Sequence, residues 1–242
     1  RMDRSTLAHQ GSYLLPLLHY YSEADFEDLK DPSDLVYTNF PGIKMITYPF
    51  SWVPVMTLLG LLGLIALLIW GVRANKLRLK SALGGFIPFL VTLGLAVLIG
   101  IYLWRLILWI YPQYAEIQHG FTYNGHYYIA LFSALTLALC FFIYRKASHY
   151  YTAVELMIAP LFFWWTLNAL FAAYLPGAAY HIIPYAFGLI ALFVMLRWER
   201  PSLLLLTVLC SPALFLVSPS IQSFPVGLGL SMLVLATVFS AL

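Results

Sequence analysis

The chain has 242 residues, of which 62% are hydrophobic and 10% charged, with a formal net charge of +3 and a mean hydropathy of +0.85. Soluble domains average about 45–50% apolar and about 25% charged residues, so this composition excludes both a water-soluble globule and a disordered chain. Two cysteines and aperiodic glycines exclude a disulfide scaffold and a collagen-like fibre, which leaves a polytopic helical membrane protein.

The charges are unevenly placed. Residues 1–51 carry four basic and seven acidic side chains, whereas residues 52–242 carry nine basic and three acidic ones. The basic balance therefore arises from membrane loops, and no nucleic-acid partner is expected. The sequence opens on Arg1 and stops within an apolar run at Leu242, and it is read as part of a longer protein.

Residues 1–51 read as a small aqueous segment. Leu7, Leu14, Leu15, Leu17 and Leu18 suit an amphipathic helix over 5–21. An acidic stretch follows from Glu23 to Asp34. A hairpin is then expected over 35–48, with strand-like Leu35–Phe40 and Ile43–Tyr48 flanking Pro41-Gly42, a pair that suits the centre of a type II turn. One helix and one hairpin bury too little surface to stand alone, so they are expected to complete a larger domain.

From residue 52 onward, about 20 apolar residues are needed per helical crossing. Seven stretches qualify, near 53–72, 84–108, 127–144, 153–174, 179–196, 202–217 and 224–242. Pro212 interrupts the sixth, so the last two are alternatively a re-entrant hairpin. The expected fold class is thus an all-α bundle of about seven spans. Pro88, Pro160, Pro184 and Pro212 are candidate kink sites.

Basic residues fall on every second loop: Arg73, Lys76, Arg78 and Lys80 in 73–83, Arg145 and Lys146 in 145–152, Arg197 and Arg200 in 197–201. The intervening loops 112–126, 175–178 and 218–223 have no Lys or Arg. By the positive-inside rule the three basic loops are cytoplasmic and residues 1–51 lie in periplasm or lumen. Trp52, Trp104, Trp109, Tyr111, Tyr127 and Tyr128 fall near outer span ends, as an aromatic belt would.

Several short stretches carry a family resemblance. Ser5, Leu7, His9, Gln10 and Gly11 resemble the Ser, Leu, His-Gln-Gly run in the last helix of the protease domain of membrane-bound zinc aminopeptidases of metallopeptidase family 28. That group includes vacuolar-membrane and endoplasmic-reticulum metallopeptidases. Residues 34–49, Asp-Leu-Val-Tyr-Thr-Asn-Phe-Pro-Gly and then Ile-Lys-Met-Ile-Thr-Tyr-Pro, resemble the family's join between protease and first span. Leu175, Pro176, Gly177, Ala178, Ala179 and Tyr180 look like its outer loop after the fourth span. The resemblance implies an extracytoplasmic α/β exopeptidase domain of the same protein, zinc in the full-length protein and a peptide substrate. It also implies that the zinc ligands lie upstream, because none maps onto 1–242.

The candidate chemistry within the chain is sparse. Glu116, His119, Asn124 and His126 share one outer loop, and His181 begins the next outer helix end. They form an outer-face polar cluster, but Glu-x2-His-x6-His matches no metal signature and a polar interfacial loop is the plainer reading. Arg105 is the deepest charge. It snorkels to headgroups or, in the sharper reading, contacts a substrate carboxylate. Thr152 and Glu155 fit a capping box, which accounts for a carboxylate at a span end. Asn168 suits interhelical hydrogen bonding. His9 and His19 are about 15 Å apart along a helix, too far to share an ion. Cys140 and Cys210 both fall in spans. A rival function class is a transporter or channel for a small solute, supported by Arg105, Asn168 and the prolines.

Overall fold

A computed structural model describes residues 4–25, 33–40, 44–118 and 120–242. The chain divides into two units, 1–35 and 36–242. In the first, α1 runs over Arg4–Glu23 and contains Pro16. Its leucines Leu7, Leu14, Leu15, Leu17 and Leu18 are all half exposed or more.

The second unit begins with two paired strands, β1 (Leu35–Phe40) and β2 (Lys44–Pro49), as expected. The Pro41-Gly42 turn and most of the acidic stretch lie outside the described residues. Val36 and Tyr48 are buried in the same core as Val53 of the following helix, so the hairpin sits on the bundle. Phe40 adds an edge-on contact to Phe215 at 6.1 Å.

Among the described residues, six helical stretches are long and apolar enough to cross a membrane, the architecture of a helical integral membrane protein. The first is α2 (Trp52–Arg73). The second is composite: α3 (Leu79–Gly84), α4 (Phe86–Leu98), a π-helical turn (Ile99–Leu103) and α5 (Trp104–Ile110). Then come α6 (Gly125–Ala147), α7 (Ala153–Tyr174) and α8 (Ile182–Arg197), the last led by a 3-10 turn over Pro176–His181. The sixth is α9 (Leu203–Leu228).

The end of the chain departs from the sequence expectation. No loop interrupts 218–223; α9 continues through Pro212, Pro219 and Pro225 to Leu228. It breaks at Gly229, whose φ of 91° is open to glycine and strained for other residues. Leu230–Met232 makes a 3-10 turn, and α10 (Leu233–Ala241) follows. The apolar stretch Leu230–Ala241 is shorter than the six membrane-length helices. In the stretch expected to form the seventh span, α10 packs on α4, α6 and α9.

Two cores hold the bundle. One joins α2, α7 and α8 through Leu64, Ile158, Leu161, Trp164, Tyr185 and Leu192. Across it the Tyr185 hydroxyl donates to the Gly60 carbonyl at 3.0 Å. The second joins α5, α6 and α10 through Trp104, Ile107, Ile129, Phe132, Leu233 and Ala236. Trp104 is thus a core residue and not part of an aromatic belt, whereas Trp52, Trp109 and Tyr127 are exposed.

Candidate functional site

The loop 111–124 is shaped by aromatic stacking and one polar chain. Tyr111 stacks on Tyr114 at 5.5 Å, and Tyr114 meets Tyr128 edge-on at 6.2 Å. The Thr122 hydroxyl donates to Asn124 Oδ1 at 2.8 Å, and Asn124 Nδ2 donates to the Tyr114 hydroxyl at 3.3 Å. Asn124 is thereby committed to holding the loop. The loop closes on the α9 break, where the Leu230 N–H donates to the Gly120 carbonyl at 2.9 Å.

Beside it, Ile117, Phe121, Thr122, Tyr123 and His126 line an open cleft of about 490 Å³. His126 is exposed and lies edge-on to Phe121 at 5.1 Å. Glu116 is exposed at the end of the 3-10 turn Pro112–Glu116. His119 lies outside the described residues. Among the described residues, no group of three or more His, Cys, Asp or Glu side chains is placed to hold a metal ion. The described donors do not fit a zinc site, and no chemical step is assigned to them.

His181 is a correction to the outer polar cluster. It is buried, stacked on Tyr180 at 4.2 Å and facing Phe171 and Trp164 at 5.3 and 5.6 Å. Its Nδ1 lies 2.9 Å from the Ala178 carbonyl. An imidazole has two flat apolar faces, and three neighbouring rings cover them here. Its position next to a loop disguised this in the sequence.

Asn168 behaves as expected of an interhelical polar group. Its Nδ2 donates to Trp164 O at 2.8 Å and to His181 O at 3.4 Å, tying α7 to the turn before α8. Its Oδ1 is buried without a hydrogen-bond partner. Arg105 is exposed, with its guanidinium 5.7 Å from the ring centre of Tyr102. A cavity of about 290 Å³ lies among α6, α7, α9 and α10, lined by Ser133, Trp164, Val217 and Phe239 with two further serines, Ser218 and Ser240. It has no titratable lining residue, so it offers no acid–base chemistry.

Outside the spans, Tyr48 on β2 is buried with its hydroxyl unpartnered, and burial pushes its phenol up to about 12. It is neutral throughout the physiological range.

The firmest charged constellation is at the other end of the bundle. Thr152 caps α7: its hydroxyl accepts from the Glu155 N–H at 3.3 Å, and Glu155 Oε2 accepts from the Thr152 N–H at 2.9 Å. Glu155 Oε1 also accepts from Arg78 Nε at 3.1 Å. The capping box is present as the sequence indicates. The Arg78 partnership has no local signal, because it joins residues 77 positions apart.

No protein-family model, no curated protein and no solved structure matches the chain.

Proposed function

We propose that this chain is the membrane-anchoring part of a zinc-dependent, aminopeptidase-like metallopeptidase whose catalytic groups belong to sequence upstream of residue 1. The observation that carries this reading is the passage from hairpin to first span. The stretch 34–49, which resembles the family's join, folds as β1 and β2 and leads through Phe50 and Ser51 into α2. Val36 and Tyr48 seat that hairpin in the bundle core, which is what a tether between a protease and its anchor requires.

In such an enzyme a dinuclear zinc centre activates water and polarises the scissile carbonyl. This chain's part is to fix the protease at the outer surface, with the cleft near His126 and the exposed Arg105 facing the same side. The full-length protein is expected to cleave aminoacyl amides, to lose that activity to a chelator and to regain it with zinc. Absence of hydrolysis in zinc-replete full-length protein sinks the proposal.

The reading also fixes orientation, with Lys76 cytoplasmic and the 111–124 loop in periplasm or lumen. With Cys140 and Cys210 replaced by alanine, Lys76→Cys is expected to be shielded from an impermeant thiol reagent in sealed cells, and Tyr123→Cys to be labelled. The reverse pattern overturns the orientation.

A second reading, a small-solute transporter, draws on one observation. The break at Gly229 and the short α10 beside a π-helical turn are the kind of helix discontinuity that transporters place at solute sites. Flux into proteoliposomes by a protein that hydrolyses no peptide distinguishes it.

A further inference from the structure

Three loops meet at one end of the bundle. Arg78 Nε donates to Glu155 Oε1, linking the α2–α3 loop to the start of α7, and Lys76 Nζ donates to Arg197 O at 3.4 Å, linking it to the end of α8. The segments 73–80, 145–152 and 197–200, helix ends and the loops between them, together carry eight basic side chains, and the acids at this end are Glu155 and Glu199. The opposite loops contain Glu116 and no Lys or Arg. Such an asymmetry favours anions at this end.

Arg78 differs from its basic neighbours in how it is held. Glu155 is 1% exposed, whereas the Arg78 side chain remains 68% exposed. The bond uses Nε, and the guanidinium's other donors form a fixed planar fork on a side chain that stays largely exposed. Glu155 is itself fixed by the Thr152 backbone. The guanidinium is therefore ordered before any ligand arrives, which removes much of the entropy lost when a free arginine binds. A planar fork of this kind matches two phosphate oxygens.

What lies beside it identifies the kind of phosphate. Arg78 is the residue before α3, at the end of a membrane-length helix and so at headgroup depth. Beginning at the next residue, Leu79, Leu83 and Ile87 form an i, i+4, i+8 row along α3 and α4, and all three are exposed. A charged fork that opens onto an apolar track fits an amphiphile. A soluble anion would have no use for the track.

We infer that this end of the bundle binds an anionic membrane phospholipid, with its phosphate on the terminal nitrogens of Arg78 and an acyl chain along Leu79, Leu83 and Ile87. Lys76 and Lys80 add attraction for a net-negative headgroup, and the same cations disfavour a headgroup that carries its own ammonium. The inference is independent of the metallopeptidase reading and needs only that the chain is in a bilayer.

The test is lipid retention by the full chain in mild detergent, read by native mass spectrometry with phosphatidylglycerol or phosphatidylcholine supplied in equal amounts. Wild type is expected to retain phosphatidylglycerol about tenfold better, the scale of one strong charge-assisted contact. The double variant Arg78→Gln with Glu155→Gln removes both partners, leaves no buried charge unpaired, and is expected to abolish the preference. Lys146→Gln, in the last turn of α6, is expected to keep it. If the double variant does not fold, Lys80→Gln at an exposed position serves instead and is expected to weaken retention about threefold, one screened surface charge. Equal retention of the two lipids overturns the inference, as does an unchanged preference in the double variant. Equal loss in Lys146→Gln indicates diffuse attraction and also overturns it. Displacement of the lipid by millimolar inorganic phosphate would show that free phosphate is the ligand.

Discussion

Replacing Gly100 by leucine is expected to destabilise the bundle by about 3 kcal/mol or more, because it overpacks a contact made by backbone. Gly100 lies in the π-helical turn, against Val234 and Thr237 of α10. A Cβ built there overlaps the Val234 Cα and approaches Thr237 Oγ1 to 2.7 Å. The first of these atoms is main chain and has no rotamer by which to retreat, so α10 must move as a unit. Moving it breaks the bond from Thr237 Oγ1 to the Ala96 carbonyl, 2.8 Å long, and loosens the packing of Leu233 and Ala236. The control is Gly94→Leu on the same helix, where nothing lies within 4 Å of the added Cβ. That change is expected to be neutral or to stabilise by up to about 1 kcal/mol through helix propensity. Thermal or denaturant unfolding in detergent, with both variants side by side, measures the difference. If they unfold within about 0.5 kcal/mol of each other, the ordinary scatter of surface substitutions, the α4–α10 contact is not as described.

The same contact shows which parts of the fold were legible in the sequence. The first five expected spans match membrane-length helices, because each apolar run had to satisfy its backbone internally, whereas the expected sixth span runs on into the expected seventh as one helix. The Thr152–Glu155 capping box was legible for a similar reason: its partners are three residues apart and its chemistry is local. Prolines misled in part. Pro88 follows the α3–α4 junction at Gly85 and Pro184 follows the 3-10-to-α change at Ile182, so each stands just past an irregularity in its span. Pro212, Pro219 and Pro225 do lie inside α9, yet the helix runs on, since fraying would leave several backbone groups unpaired in apolar surroundings. The true break is set at Gly229 by a partner more than a hundred residues away, Gly120, whose carbonyl receives the Leu230 N–H. His181 and Trp104 were misplaced for the same reason. Their burial depends on rings from other helices, and position relative to a loop carries no information about those.

Replacing Glu155 by alanine is expected to cost about 3 kcal/mol, since it removes a helix cap and a charged hydrogen-bond acceptor together. The carboxylate has two separate duties, Oε2 toward the Thr152 N–H and Oε1 toward Arg78 Nε. Three variants separate them. Thr152→Ala removes the reciprocal half of the cap and is expected to cost about 1 kcal/mol. Glu155→Gln keeps an acceptor for the Thr152 N–H while removing the charge, so it is expected to fall between Thr152→Ala and Glu155→Ala. Arg78→Ala strands a carboxylate that is 1% exposed, but water reaches the pair from the arginine side, 68% exposed. That access keeps its cost to about 2 kcal/mol, below the 3–5 kcal/mol typical when a fully buried pair is broken. Removing both residues is then expected to cost about 1 kcal/mol less than the two single changes added together, a coupling measurable by a double-mutant cycle in unfolding free energy. Additivity within about 0.3 kcal/mol would mean that Arg78 is bound no more firmly to Glu155 than to water. In that case the end of the bundle would hold only loosely placed cations, and a pre-ordered guanidinium would no longer distinguish Arg78 from Lys80 or Arg200.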